Sequence, residues 1–178
     1  PSSAREAYYL TKVAYELSSK YKHPVMLRTT TRISHTRMPV ELEADIPHEK
    51  PCEGFFKKDY ERWVLVPAHS RKMKLRLMQV WKALEKESDP RLVSILNPGM
   101  KTAIIASGIA YSYASEVLKR KNLLEKVTLV KVNMSVPLPR EPIKQVLEHA
   151  ERVLVVEELD PVVEMQVKSI AASISAKP

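Results

Sequence analysis

The sequence contains few of the residues from which several kinds of site are built. Its 178 residues include one cysteine, Cys52, and three glycines. A single cysteine excludes an internal disulfide framework and any cysteine-based zinc or iron–sulfur site within this chain. Because Cys52 lies beside Pro51 and near Gly54 with no obvious base, an ordinary loop or surface thiol is favoured over a nucleophile.

Long apolar runs are also missing. No stretch approaches the roughly 20 residues that a membrane-spanning helix needs. The first residues, PSSAREAYY, lack the basic start and apolar run of a signal peptide. Together with the low cysteine content, these absences predict a soluble protein of the cytoplasm.

Acidic residues are absent from two long stretches. None occurs between Glu16 and Glu41 or between Glu61 and Glu85, and the chain carries a formal charge of +8. A basic chain of this kind can serve nucleic acid, an anionic ligand or an acidic partner.

The first acid-free stretch contains the strongest local motif, PVMLRTTTRISHTR at residues 24–37. Residues 25–28 are predicted to form a short buried strand that ends at Arg28, and Thr31, Arg32 and His35 follow in a loop. Arginines at the carboxyl end of a strand can clamp a carboxylate or phosphate bidentately. The same residues can instead make salt bridges to a neighbouring domain, and composition does not separate these two interpretations.

A helix is predicted before this loop, over residues 3–21. Ser3 and Glu6 form a capping-box pattern, and apolar residues recur at helical spacing on one face: Ala7, Leu10, Ala14, Leu17 and Tyr21. Because a lone helix and strand cannot bury a core, we expect Leu10, Leu17 and Val25 to stay partly exposed within this chain.

The middle of the chain, residues 38–101, is predicted to be a linker that contains one basic amphipathic helix. Residues 38–62 have irregular patterning, 62–67 could form a short strand, and 88–101 is a turn-rich connector. The helix, over residues 70–87, has an apolar face that we expect to pack on the core: Met73, Leu77, Val80, Trp81 and Leu84. Nucleic-acid binding is a weaker interpretation, because interleaved aromatics are lacking.

Residues 102–178 show a regular alternation typical of an α/β fold with a parallel sheet. Apolar strands are predicted at 102–107, 127–132 and 152–158, with helices between them. The last helix is predicted to begin with Asp160 as its cap and Pro161 in its first turn. Its apolar face contains Val163, Val167, Ile170 and Ile174.

Two further motifs lie at strand ends. Ser107 and Gly108 stand where the amide groups of a helix N-terminus could hold an anion, although a tight turn alone explains them. Glu157, Glu158 and Asp160 follow the last strand. They could bind metal or act in acid–base chemistry, but no histidine lies beside them, so a partner contact or a solvated edge is favoured.

Three segments together resemble a known family: residues 1–37, FKKDYERWVLVPAHSRKMKLRL and ERVLVVEELDP. This family is that of the thiamine diphosphate-dependent 2-oxoacid:ferredoxin oxidoreductases. Within it, the three segments most resemble the alpha subunits of the archaeal indolepyruvate enzymes. The resemblance implies that residues 1–37 end a pyrimidine-binding thiamine domain and that 102–178 form a transketolase C-terminal-like domain. This chain would then be an internal part of a longer subunit.

The resemblance also implies an activity, the oxidative decarboxylation of arylpyruvates to aryl-acetyl-CoA with ferredoxin as electron acceptor. Members of the family use thiamine diphosphate, Mg²⁺ and [4Fe-4S] clusters, together with a second (beta) subunit. This chain lacks the family's GDG motif and its cysteine clusters, so alone it is expected to be inactive and to bind no cofactor strongly. The alternative is a non-catalytic α/β assembly module whose basic arm binds an acidic partner or nucleic acid.

Overall fold

The computed structural model describes residues 1–42 and 57–175. Cys52 lies outside the described residues. The helices are α1 (Ala4–Tyr21), α2 (Thr31–Ser34), α3 (Tyr60–Trp63), α4 (Pro67–Glu85), α5 (Gly108–Arg120), α6 (Arg140–His149) and α7 (Val162–Ser175), with a 3₁₀ turn at Leu124–Lys126. The strands are β1 (Val93–Leu96), β2 (Thr102–Ser107), β3 (Thr128–Val132) and β4 (Arg152–Val156).

These strands form one sheet in the order β1-β3-β2-β4. Strand β2 pairs in parallel with both neighbours, with Ile105 opposite Val130 on one side and Val155 on the other. The three predicted strands and their parallel pairing are therefore confirmed. The connector predicted over 88–101 is wrong in part, because β1 pairs antiparallel with β3; four residues between turns are too short to show a period.

Side chains alternate between two covered faces of this sheet. Ala103 and Ile105 of β2 pack with the buried residues of α6 and α7, whereas Ile104 packs with the cluster beneath α5. Each fully buried aliphatic side chain contributes about 1.5–3 kcal/mol. The mixed α/β class with a mostly parallel sheet is thus confirmed, and so is the apolar face of α7, where Val163, Val167 and Ile170 are buried.

Helix α1 packs beside this unit. The Ser3 hydroxyl accepts the Glu6 N–H at 3.1 Å, as the capping pattern predicts. The exposure expected for this region is only partly correct, because Leu10 is buried at 7% while Val25 is 43% exposed. Leu17 is half-buried.

The strand predicted over residues 25–28 is wrong. The chain is without regular structure from 24 to 30, and Met26 is 90% exposed. A strand is stable only when its backbone groups pair with a neighbour. Within the described ranges no segment pairs with these residues, and their apolar composition alone is not sufficient to form a strand.

The strand predicted over 62–67 is also wrong, since Trp63 ends α3 and Leu65 is 75% exposed. Helix α4 begins earlier than predicted, at Pro67, which occupies the first turn without losing a hydrogen bond. None of its residues is buried. The expectation that its apolar face packs on the core is therefore wrong within the described parts of the chain.

Across residues 1–42 and 57–175, no helix combines the length and apolar content needed to cross a membrane.

Candidate functional site

The loop that carries the arginines folds around the short helix α2. Ile33 is buried and anchors the turn, while Thr31, Arg32 and His35 are exposed. Two of the hydroxyls are engaged locally: the Thr29 and Ser34 Oγ atoms lie 2.9 Å apart. The cationic side chains of the loop are thus exposed on the surface of the described chain.

Arg32 reaches α5. Its guanidinium carbon lies 5.8 Å from the centre of the Tyr113 ring, a cation–π distance. Arg28 is exposed as well, and among the described residues neither arginine takes part in a salt bridge. The four predicted site residues therefore share one loop, and their role towards substrate or cofactor stays a prediction.

A second cluster, which the sequence reasoning missed, lies where α1 meets the end of β3. The Glu6 carboxylate accepts hydrogen bonds from the Ser2 backbone N–H at 2.6 Å and from the Ser2 hydroxyl at 2.8 Å. It also accepts one from Asn133 Nδ2 at 3.2 Å and forms an ion pair with Lys131. In place of closing the capping box onto Ser3, the carboxylate holds α1 to the sheet.

Burial and pairing act on this carboxyl in opposite directions. Burial by itself raises the pKa of Glu6, but the hydrogen bonds from Lys131 and Ser2 outweigh it and hold the pKa below its usual range. The Lys131 ammonium also lies 4.8 Å from the centre of the Tyr111 ring. Burial, and secondarily the charge of Glu6, raises the pKa of the Tyr111 hydroxyl. The lowered pKa of Glu6 favours its carboxylate form near neutral pH.

Two more ion pairs extend along α1. Glu16 pairs with Arg91 at 2.8 Å, and Arg91 is in turn fixed by Asp89 through Nε and Nη2. At the end of the helix, Lys20 and the Tyr21 hydroxyl both bind the carboxylate of Glu87. Since contacts recur along the whole length of α1, the helix is fixed in orientation as well as in position.

The Glu6 cluster and Arg91 border a cleft of about 410 Å³ at the carboxyl end of β3. In open parallel sheets this edge is where ligands bind. The cleft is lined by Ser3, Arg5, Glu6, Tyr9, Leu10, Val13, Pro90, Arg91, Ser94, Lys131 and Asn133. Because Glu6, Lys131 and Arg91 neutralise one another or their neighbours, the arrangement is suited to holding elements together. In the sequence, the feature that could have indicated the Glu6 cluster is the charged Lys131 inside the apolar strand VTLVKV, because a buried lysine needs an anionic partner.

The predicted anion site at Ser107 and Gly108 lies at the start of α5. Gly108 has φ +53°, which glycine adopts without strain. The Pro1 carbonyl oxygen lies 3.7 Å from the position of a Cβ at Gly108, and Ser112 Oγ donates to the Ser2 carbonyl at 2.9 Å. Backbone carbonyls of residues 1 and 2 thus approach this helix end, and anion binding there stays a prediction.

The acids after β4 have a structural explanation. Glu157 accepts the N–H groups of Val163 and Glu164, each at 2.9 Å. It is therefore Glu157 that caps α7, and the expectation that Asp160 does so is wrong. The cap residue was misassigned because Glu157, the residue directly after β4, lies close enough for its side chain to reach the helix.

Two of the groups that the family resemblance implies, the [4Fe-4S] clusters and Mg²⁺, can be compared with the ligands that this chain offers. A [4Fe-4S] cluster needs four ligands, commonly cysteine thiolates, and the sequence has one cysteine. Across the described ranges, no three His, Cys, Asp or Glu residues are grouped so as to hold a metal ion such as Mg²⁺. The chain lacks the cysteines for such a cluster, its described residues offer no set of ligands for Mg²⁺, and no catalytic step is assigned through these groups.

Comparison with known proteins gives one consistent result. The chain is 38% identical over 176 residues to indolepyruvate oxidoreductase subunit IorA of Methanothermobacter thermautotrophicus. It is 41% identical over 176 residues to the IorA subunit of Thermococcus kodakarensis and 33% identical over 171 residues to that of Archaeoglobus fulgidus. These alignments cover 96–97% of the chain but 27–28% of each relative. No protein-family profile matches the chain.

Proposed function

Because this chain is a homologue of part of the archaeal indolepyruvate oxidoreductase subunit IorA, we propose that it works as part of an oxidoreductase acting on arylpyruvates. The reaction is oxidative decarboxylation to an aryl-acetyl-CoA, with ferredoxin as electron acceptor. The observation that carries the proposal is identity of 38–41% sustained over 176 residues. Similarity of that extent reflects a shared fold rather than a shared short motif.

The metal-containing cofactors of such an enzyme need ligands that the described part of this chain does not offer. Thiamine diphosphate, Mg²⁺ and the [4Fe-4S] clusters are held by other parts of the subunit or by its partner, because this chain has one cysteine and its described residues group no set of metal ligands. Thiamine diphosphate, when bound there, supplies the carbanion stabilisation that decarboxylation requires. Residues 1–37 are assigned to the pyrimidine-binding domain and 102–178 to the transketolase C-terminal-like domain; 38–101 join the two, with β1 completing the sheet of the second.

The chain's own contribution is to position the arginine loop. Helix α1 ends at Tyr21, shortly before residues 28–35, and is anchored by the Glu6–Lys131 pair and by Arg91. Arg32 and Arg28 then meet the carboxylate of a 2-oxoacid or the phosphates of CoA, with Thr31 and His35 in support. Charge-assisted hydrogen bonds to such oxygens are about twice as strong as neutral ones, which favours arginine at this position.

The test is turnover of the complete enzyme. The native subunit would be co-expressed with its partner, and reduction of ferredoxin would be measured with CoA and either indolepyruvate, phenylpyruvate or pyruvate. We expect reduction with the two arylpyruvates and at least about tenfold less with pyruvate, a difference of roughly 1.4 kcal/mol. Equal turnover of pyruvate, or none with any arylpyruvate, would contradict the proposal.

A second candidate function is a non-catalytic assembly module, and one observation favours it. Helix α4 is strongly basic and has no buried residue, as expected of a segment that contacts an acidic partner. The turnover assay above distinguishes the two candidates. A non-catalytic assembly module would show no arylpyruvate turnover when co-expressed with its partner.

A further inference from the structure

Helix α4 presents a face on which cations and apolar side chains alternate. Positions three and four apart lie on the same side of a helix, and such spacing here joins six residues, which we term the basic–apolar face: Arg71, Lys74, Leu75, Met78, Trp81 and Lys82. This surface differs from the apolar face predicted from the sequence. Of those predicted residues Met73, Leu77, Val80 and Leu84 are half-buried, and only Trp81 belongs to both sets.

The apolar members of the basic–apolar face are unusually accessible. Leu75 is 64% exposed, Met78 48% and Trp81 42%. The side chains around Met78 and Trp81 border a depression of about 280 Å³. Its one acidic neighbour, Glu85, is engaged by Trp81 Nε1 at 3.2 Å. Among the described residues neither Lys74 nor Lys82 forms a salt bridge, so the face offers apolar area together with an excess of positive charge.

We propose that the basic–apolar face docks onto an acidic protein surface in the rest of the oxidoreductase. That partner surface would have an apolar centre flanked by carboxylates. The inference rests on the proposed function for the identity of that partner. Three apolar side chains provide the contact area, and carboxylates opposite Arg71, Lys74 and Lys82 provide the charge complementarity that sets register. The chain spans 27–28% of the relatives named above, so most of such an enzyme lies outside it.

The arrangement of charges favours a protein over a lipid surface. A helix that lies in a membrane interface separates its cations from its apolar face. Here Leu75 and Met78 lie between Arg71, Lys74 and Lys82 on the same face, so insertion would carry cations into the hydrocarbon region. Nucleic acid is disfavoured because an exposed Leu75 and Met78 gain nothing from phosphates, and Trp81 is the face's one base-stacking aromatic.

Photo-crosslinking in the assembled enzyme tests this docking. A benzoylphenylalanine at position 78 would be activated by light, and the crosslinked peptide would be identified by mass spectrometry. We expect one peptide from outside residues 1–178, rich in Asp and Glu. The variant Lys74→Glu/Lys82→Glu should lower its yield at least fivefold at low salt, and Lys74→Gln/Lys82→Gln should lower it less.

The matched control is Lys119→Glu/Lys126→Glu, which makes the same charge change on exposed residues outside α4. It should leave the yield unchanged, and thermal melting of each variant reports whether folding is intact. Crosslinks confined to residues 1–178, crosslinks to lipid or nucleic acid, or no crosslink would overturn the inference. A yield unaffected by charge reversal would overturn the acidic nature of the partner.

The result is separable from that of the turnover assay. An enzyme that oxidises arylpyruvates but gives no crosslink from position 78 would refute the docking and leave the proposed function standing. An acidic peptide crosslinked within an enzyme that does not accept arylpyruvates would support the docking surface and refute the function.

Discussion

Replacing Lys131 by methionine is expected to destabilise the protein because it leaves the Glu6 carboxylate without its cation. The two side chains are 18% and 15% exposed, so water replaces the lost partner poorly. Breaking a fully buried pair costs about 3–5 kcal/mol. Here Ser2 and Asn133 keep their hydrogen bonds to Glu6, so we expect a loss of about 2–3 kcal/mol.

A double-mutant cycle isolates the pair. Glu6→Gln and Lys131→Met would each be measured by urea unfolding and combined in one chain. Because the double variant contains neither charge, its loss should be smaller than the sum of the single losses by at least about 1 kcal/mol. For a domain of this size, a loss of 2–3 kcal/mol lowers Tm by about 4–12 °C.

The control is Lys168→Met, which removes an exposed i,i+4 pair with Glu164 and should cost about 0.5 kcal/mol or less. Losses for Glu6 and Lys131 that add to within about 0.3 kcal/mol would show that the two residues act independently. That result would refute the interpretation of this pair as the anchor of α1.

Three other perturbations follow from the same structure. Since the pKa of Glu6 is lowered by folding, the ionised Glu6 carboxylate stabilises the protein above its unfolded-state pKa of about 4.3. The difference in unfolding free energy between wild type and Glu6→Gln should therefore shrink as pH falls from 6 to 3. A constant difference would contradict the assignment. In the complete enzyme, Arg32→Ala should lower arylpyruvate turnover at least about tenfold with little change in Tm; unchanged turnover would remove Arg32 from the site, and a matched loss of Tm would make it a structural contact with Tyr113. Glu157→Ala should cost about 1 kcal/mol through loss of the α7 cap, whereas Glu158→Ala should cost little, and equal effects would contradict the capping role.

The elements that could be predicted were those whose local pattern agrees with their environment. The apolar runs at 102–107 and 127–132 are bounded by turns and buried on both faces, so composition alone identified them. The same reasoning failed for residues 25–28, which have strand-like composition but pair with nothing in the described chain. It missed β1, whose four residues become a strand because β3 lies alongside.

The candidate site divides in the same way. The arginine loop was visible because cations and hydroxyls are concentrated over a short stretch without acids. The Glu6 cluster was not, because Glu6 and Lys131 are 125 positions apart and Glu6 already had a local role as a capping residue. Only the packing of α1 on the sheet shows that the carboxylate binds Lys131.

By itself, then, the sequence determined the helix and strand periods of residues 102–175, the charge of the loop at 28–37 and the absence of a cysteine ligand set. Those properties depend on residue type and on neighbours a few positions away. Tertiary structure decided which carboxylate caps α7, which cation pairs with Glu6 and which face of α4 stays exposed. Each of these depends on distances between segments far apart in the chain, and a hydrogen bond or ion pair forms only where folding brings its two atoms within about 3–4 Å.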